Sequence, residues 1–245
     1  MEDAESFINR FESQLESAVK FHVGRHPAVQ SDFRFRWSVI KRIDLNACRT
    51  YAASRLPVDE AERATFAFID FKLQIIALLL FDWDYFNEHI LSLSPRDSAS
   101  VPAGSQEYQR FLLYSYHHAE ASKVRVVVER LMNVIYFIEK RQMLEGVESK
   151  KSAFERFLAE YPLWSFMAPV LTLTKELDDR FRTPEVHKGS MMRKRIFGEG
   201  QDQWSLTGVS TKLIEVLNIV IPGLQQVFRQ ASANNGLQPT AGSGG

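Results

Sequence analysis

The stretch Phe66–Trp83, FAFIDFKLQIIALLLFDW, decides the fold class. Phe66, Ile69, Leu73, Ile76, Leu80 and Trp83 recur at alternating steps of three and four, the spacing that lays one apolar stripe along an α-helix. Just upstream, Leu56-Pro57 interrupts the chain, and Asp59 with Glu62 three residues on forms a capping box. A long helix is therefore expected from Asp59 to about Ser92. The continuous apolar run inside it, Ile75–Phe81, is seven residues, far short of the roughly 20 that span a bilayer.

The same periodicity recurs on both sides. Val124, Val127, Leu131, Val134 and Ile138 form a second stripe, widened by Val128 and Ile135, which is expected to stop before Gly146. Phe33, Trp37, Ile40, Ala47 and Tyr51 predict one helix over about Asp32–Arg55. Shorter helices are expected over Glu2–His22, Ser152–Glu160 and Pro169–Arg180, and a last one over Ser205–Arg229 with Pro222 as a kink point. No segment alternates apolar and polar residues between hairpin turns. The expected fold is all-α, an up-and-down bundle of six to seven helices, because the apolar faces are wider than a coiled-coil seam. Ser94–Ser105 reads as a connecting loop. Residues 1–230 are expected to form one helical domain and 231–245 a disordered tail.

Composition agrees with an ordinary globular chain. The 245 residues carry 30 Lys+Arg against 30 Asp+Glu, with 45% hydrophobic and 24% charged residues. A chain of this length buries roughly 70–75% of its unfolded surface and needs no covalent staple. Zero net charge argues against coating nucleic acid or anionic membrane over the whole surface, though it permits a local basic site. The one cysteine, Cys48, excludes a disulfide framework and reads as a buried, inert thiol. Met1–Arg10 has neither a basic n-region nor an apolar h-region, so the expected location is the cytoplasm, with no membrane partner.

Several chemistries are excluded by motif. There is no GxxxxGK[ST] phosphate loop, no G-x-S-x-G elbow and no H-E-x-x-H helix. None of the six histidines has a glutamate three residues before it, which removes the di-iron bundle reading. His22 and His26 are spaced for one helix face, but Gly24 and Pro27 point to a fraying end rather than a metal site. Asp82 and Asp84 sit about 200° apart on a helix, so they read as solvated flanks of an aromatic core and not as a catalytic dyad. No metal or cofactor is expected.

What remains is Asp178–Arg195, DDRFRTPEVHKGSMMRKR. Thr183 suits an N-cap, Pro184 the first helical position and Glu185 the positive end of the helix dipole. His187 then falls in the first turn, with Arg182 just before the cap, at a place where free backbone N–H groups attract phosphate. Between 180 and 195 stand Arg180, Arg182, Lys188, Arg193, Lys194 and Arg195 against the single acid Glu185, an electrostatic footprint for a polyanion. The bland alternative is that Arg182 pairs with the Asp178–Asp179 turn and His187 merely opens a helix.

Arg182, four intervening residues and His187 match the Arg-x(4–6)-His motif, and in this the chain resembles the HEPN superfamily of helical-bundle proteins, which includes RNA-cleaving toxins and defence proteins. Arg110/His117 and Arg180/His187 carry the spacing too, and Thr183 stands where the family commonly has Asn or Asp. The resemblance implies metal-independent RNA cleavage by attack of a ribose 2′-OH on the adjacent phosphate. In that role His187 would move the proton and Arg182 would hold the phosphate, with Arg180, Lys188, Arg193, Lys194 and Arg195 contacting substrate. It also implies a homodimer, an RNA substrate and a cognate antitoxin or partner protein. The competing expectation is a non-catalytic helical module that binds RNA or protein. Separately, Asn235–Ala241, NGLQPTA, resembles the C-terminal tails of proteins encoded on integron gene cassettes.

Overall fold

Asp44 divides what the periodicity reads as one helix. Its carboxylate Oδ1 accepts from the Ala47 backbone N–H at 3.0 Å, so the chain ends one helix at Lys41 and starts another at Leu45. The computed structural model describes residues 4–25, 30–82, 105–144, 149–179 and 208–236. In chain order these form α1 (Ala4–Arg25), α2 (Gln30–Lys41), α3 (Leu45–Arg55), α4 (Val58–Ile76), α5 (Ser105–Lys140), α6 (Lys150–Glu160), α7 (Met167–Leu177) and α8 (Gly208–Gly236). A π-helical turn, Ala77–Phe81, prolongs α4, and a 3₁₀ turn, Pro162–Trp164, precedes α7. Among the described residues there is no strand, and the architecture is an all-α bundle.

Several boundaries differ from the sequence reading for local reasons. α4 starts at Val58 behind Pro57, with no side-chain cap. Asp59 and Glu60 sit inside its first turn and act on the helix dipole instead of closing a capping box. α5 already begins at Ser105 and stops at Lys140, well before Gly146, because Arg141 turns left-handed at φ 55° while its N–H still reaches the Phe137 carbonyl. Ser149 caps α6 through the Ser152 N–H. α8 passes Pro222 and continues to Gly236; Ala231, placed in the tail by the sequence reading, packs against the core. Residues 83–104 and 237–245 lie outside the described residues, and with them the rest of the Ser94–Ser105 loop, the helix beyond Asp82 and the tail's end.

The buried apolar residues form one cluster that draws on every helix, with Trp164, Tyr51, Phe68, Phe71 and Phe154 as its largest members. α4 packs between α3 and α5, and α8 lies against α3, α5 and α7. The α5 and α8 stripes are buried as read: Val124, Val127, Leu131, Val134 and Ile138 on one, Leu213 through Val227 on the other. On α4 the reading is off by part of a turn. Ile69, Ile76 and Leu80 are buried, but Phe66 and Leu73 face outward, and the face against the core instead carries Ala61, Thr65, Phe68, Lys72 and Ile75. Lys72 tolerates that position because its ammonium donates to Glu12 Oε1 at 2.5 Å and to the Ile43 carbonyl at 2.9 Å, tying α1 and the α2–α3 corner to α4. Among the described residues, no helix is long and apolar enough to cross a membrane.

Candidate functional site

α7 runs directly into the basic segment. Asp178 and Asp179 follow α7 in π-helical conformation, and Arg180, Arg182, His187, Lys188, Arg193, Lys194 and Arg195 all lie outside the described residues. Arg110 and His117, the second spaced pair, are seven positions apart within α5, close to two helical turns. Both carboxylates at the end of α7 meet cations of the bundle. Arg125 Nη1 donates to Asp178 Oδ2 at 3.1 Å and its Nε to Glu129 Oε1 at 2.7 Å, while Lys175 lies 3.7 Å from Asp179. Burial pulls the Arg125 guanidinium down, but its bonds to Glu129 and Asp178 outweigh this and leave its pKa raised.

Around that pair α5, α6 and α7 enclose a cleft of about 410 Å³. Its charged lining is Arg125, Lys150, Lys151 and Lys175 against Glu129 and Asp178, an excess of cations at the point where the chain enters residue 180. Ser149, the α6 cap, also faces it, so the positive end of the α6 dipole adds to the same potential. The ion pairs within the cleft are partly exposed, and exposed pairs rearrange at small cost. The cleft can therefore offer guanidinium and ammonium groups to an incoming anion. A second cleft, of about 440 Å³, is bordered by α3 and α8 and lined by Asp44, Thr50, Tyr51, Gln225, Phe228 and Arg229.

One perturbed acid escaped the sequence reading. Glu120 is buried on α5 beside Asp82 and Lys123, and Lys123 Nζ donates to Asp82 Oδ2 at 2.5 Å. Asp82 is thus an ion-pair partner and not the solvated flank expected of it; Asp84 lies outside the described residues. Burial first, then the charge of Asp82, pushes the Glu120 carboxyl up to about 8, so near neutral pH it is mainly protonated and hydrogen-bonded to Asp82. The signal was present: Glu120 stands four residues before Val124 and so falls on the buried stripe of α5.

This acid makes a pH prediction. The folded chain keeps the Glu120 proton to about pH 8, whereas the ordinary carboxylate releases it near 4.5. The folded state binds more protons across that window, so this group makes stability fall as pH rises through it. Urea midpoints of Glu120→Gln should therefore gain on the parent chain steadily from about pH 4.5 to 8. Parallel curves for the two proteins would remove the assignment.

Other sequence candidates resolve simply. Cys48 is buried and unpaired by disulfide, and burial pushes its thiol well up, which makes it a poor nucleophile. Among the described residues no group of three or more His, Cys, Asp or Glu side chains could hold a metal ion. Comparison with protein-family models, with curated proteins and with solved structures finds no match for this chain.

Proposed function

We propose that the chain is a metal-independent endoribonuclease of the HEPN kind, working through Arg182 and His187. The observation that carries this reading is the Arg182-x4-His187 spacing, with the cap-forming residues Thr183 and Pro184 between the pair, inside the basic run 180–195 of a helical-bundle chain. The cation-rich cleft of α5, α6 and α7, whose lining residue Asp178 stands four residues before Arg182, supports it by offering the electrostatics a polyanion needs.

In this mechanism a ribose 2′-OH attacks the adjacent phosphorus and the bond to the 5′ oxygen of the next nucleotide breaks. The products are a 2′,3′-cyclic phosphate and a free 5′-OH. Histidine, which titrates near neutrality, suits the proton transfer, and His187 takes this part. Arg182 spans two phosphate oxygens with its planar fork as charge builds on them. The homodimer and the antitoxin or other partner belong to the same proposal.

The test is cleavage of single-stranded RNA by the purified full chain, with the ends of the products identified. His187→Ala is expected to lower the rate at least a hundredfold. Arg182→Lys should fail as well, because an ammonium cannot reproduce the bidentate contact. A chelator should change nothing. RNA binding of equal affinity before and after His187→Ala, with no cleavage by either protein, would favour the non-catalytic module. Cleavage retained by His187→Ala would move the catalytic pair to Arg110 and His117.

A further inference from the structure

Two helices of the bundle present an apolar face to solvent. On α4, Phe66 is 49% and Leu73 39% exposed, and on α5 Val126 is 44% exposed. Between them lies a surface ion pair, Arg130 Nη1 to Asp70 Oδ2 at 3.3 Å, with the arginine 41% and the aspartate 61% exposed. Helical spacing puts these groups on one surface: Phe66 and Leu73 stand four before and three after Asp70, and Val126 four before Arg130. The helices are antiparallel, because Asp70 meets Arg130 while Asp82, further along α4, meets Lys123, further back along α5. Leu73 and Val126 therefore lie toward the same end of the face, and Phe66, resting edge-on against Phe7, lies toward the other.

We infer that this α4–α5 face is the docking surface for a second copy of the chain. The argument is self-complementarity. A two-fold axis between α4 and α5, parallel to both, brings Asp70 of one copy opposite Arg130 of the other, twice, and Leu73 opposite Val126, twice. Opposite charges meet opposite charges and apolar groups meet apolar groups, which an isologous interface requires. A face carrying one sign of charge would repel its own copy. The large apolar residues also gain most from association, since scattered exposed Leu or Val is ordinary but grouped aromatic and aliphatic side chains mark interaction surfaces. The inference rests on the homodimer of the proposed function and names the face where two copies meet, while none of its residues belongs to the Arg182–His187 turn.

Sedimentation or light scattering on the full chain at micromolar concentration tests it. The parent chain is expected at twice its 28.2 kDa mass. Phe66→Glu should weaken self-association at least tenfold, with the helical circular dichroism unchanged. Asp70→Arg and Arg130→Asp should each run as monomers, since each sets like charges face to face. Mixed in equal amounts, they should regain the double mass, because every Arg then meets an Asp. Should Phe66→Glu fail to fold, this exchange decides alone, and it hardly touches stability because the intrachain pair is exposed. A monomeric parent chain overturns the inference. So does a double mass that survives both charge variants, or a mixture that stays monomeric. The RNA cleavage assay is read independently of these masses.

Discussion

Gly223→Ala is expected to destabilise the fold by about 3 kcal/mol, against the direction that helix propensity alone would give. Alanine is the better helix former, so in an open helix this change gains up to about 1 kcal/mol. At this position a Cβ would stand 2.3 Å from Phe166 Cγ and 2.4 Å from Cδ2, well inside contact distance. The ring has little room to retreat, because it leans on the fully buried Trp164 with 5.9 Å between ring centres. The urea midpoint should drop accordingly, and melting should come about 6–12 °C lower. Adding Phe166→Leu should recover part of the loss, so the two changes would cost less together than their sum. An unchanged or raised midpoint in the single variant would mean that α8 does not approach Phe166 this closely.

Glu139→Ala should be at least as damaging. One carboxylate oxygen, Oε1, accepts from the Tyr51 hydroxyl at 2.6 Å and from Trp164 Nε1 at 3.0 Å, joining α3, α5 and the 3₁₀ turn in the core. The burial of Tyr51, followed by its bond to Glu139, pushes the phenol pKa well up, so it remains a donor at any ordinary pH. Removing the carboxylate leaves two buried donors without acceptor and opens a void beside them, for a loss of about 3–4 kcal/mol. Glu139→Gln keeps an acceptor oxygen and should lose about 1 kcal/mol. Similar urea midpoints for the Ala and Gln variants would show that the acceptor does not matter.

The apolar periodicity of the chain carried the helices, but it carried their direction only coarsely. α5 and α8 read correctly because their stripes from Val124 to Ile138 and from Leu213 to Val227 are apolar and buried. α4 misled because its core face contains Thr65 and Lys72, and a lysine is placed inside only once Glu12 and the Ile43 carbonyl arrive from other helices. Phe66 and Leu73 then completed a plausible but rotated stripe. The break at Asp44 was open to reading, since aspartate is a good N-cap; the continuing run of Ile40, Ala47 and Tyr51 concealed it. At the candidate site, the spacing of Arg182 and His187 and the local charge are properties of sequence. The Arg125–Asp178 pair joins residues 53 positions apart and exists only because α5 and α7 pack together.

The π-helical turn at the end of α4 acts as a phase shifter. A regular α-helix advances about 100° per residue, so three consecutive side chains fan over roughly 200° and one usually meets water. Leu78, Leu79 and Leu80 are all buried, on a turn that winds more slowly and takes in one residue more than an α-turn. Asp82, just beyond that turn, is rotated relative to the register of Val58–Ile76. Asp82 reaches Lys123 on α5 from this shifted register. Wound as a regular α-helix with the same number of residues, the turn would swing Asp82 most of a right angle away from α5, taking with it the charge that stands beside the buried Glu120 proton. The protonation of a residue on one helix is thus written into the winding of another.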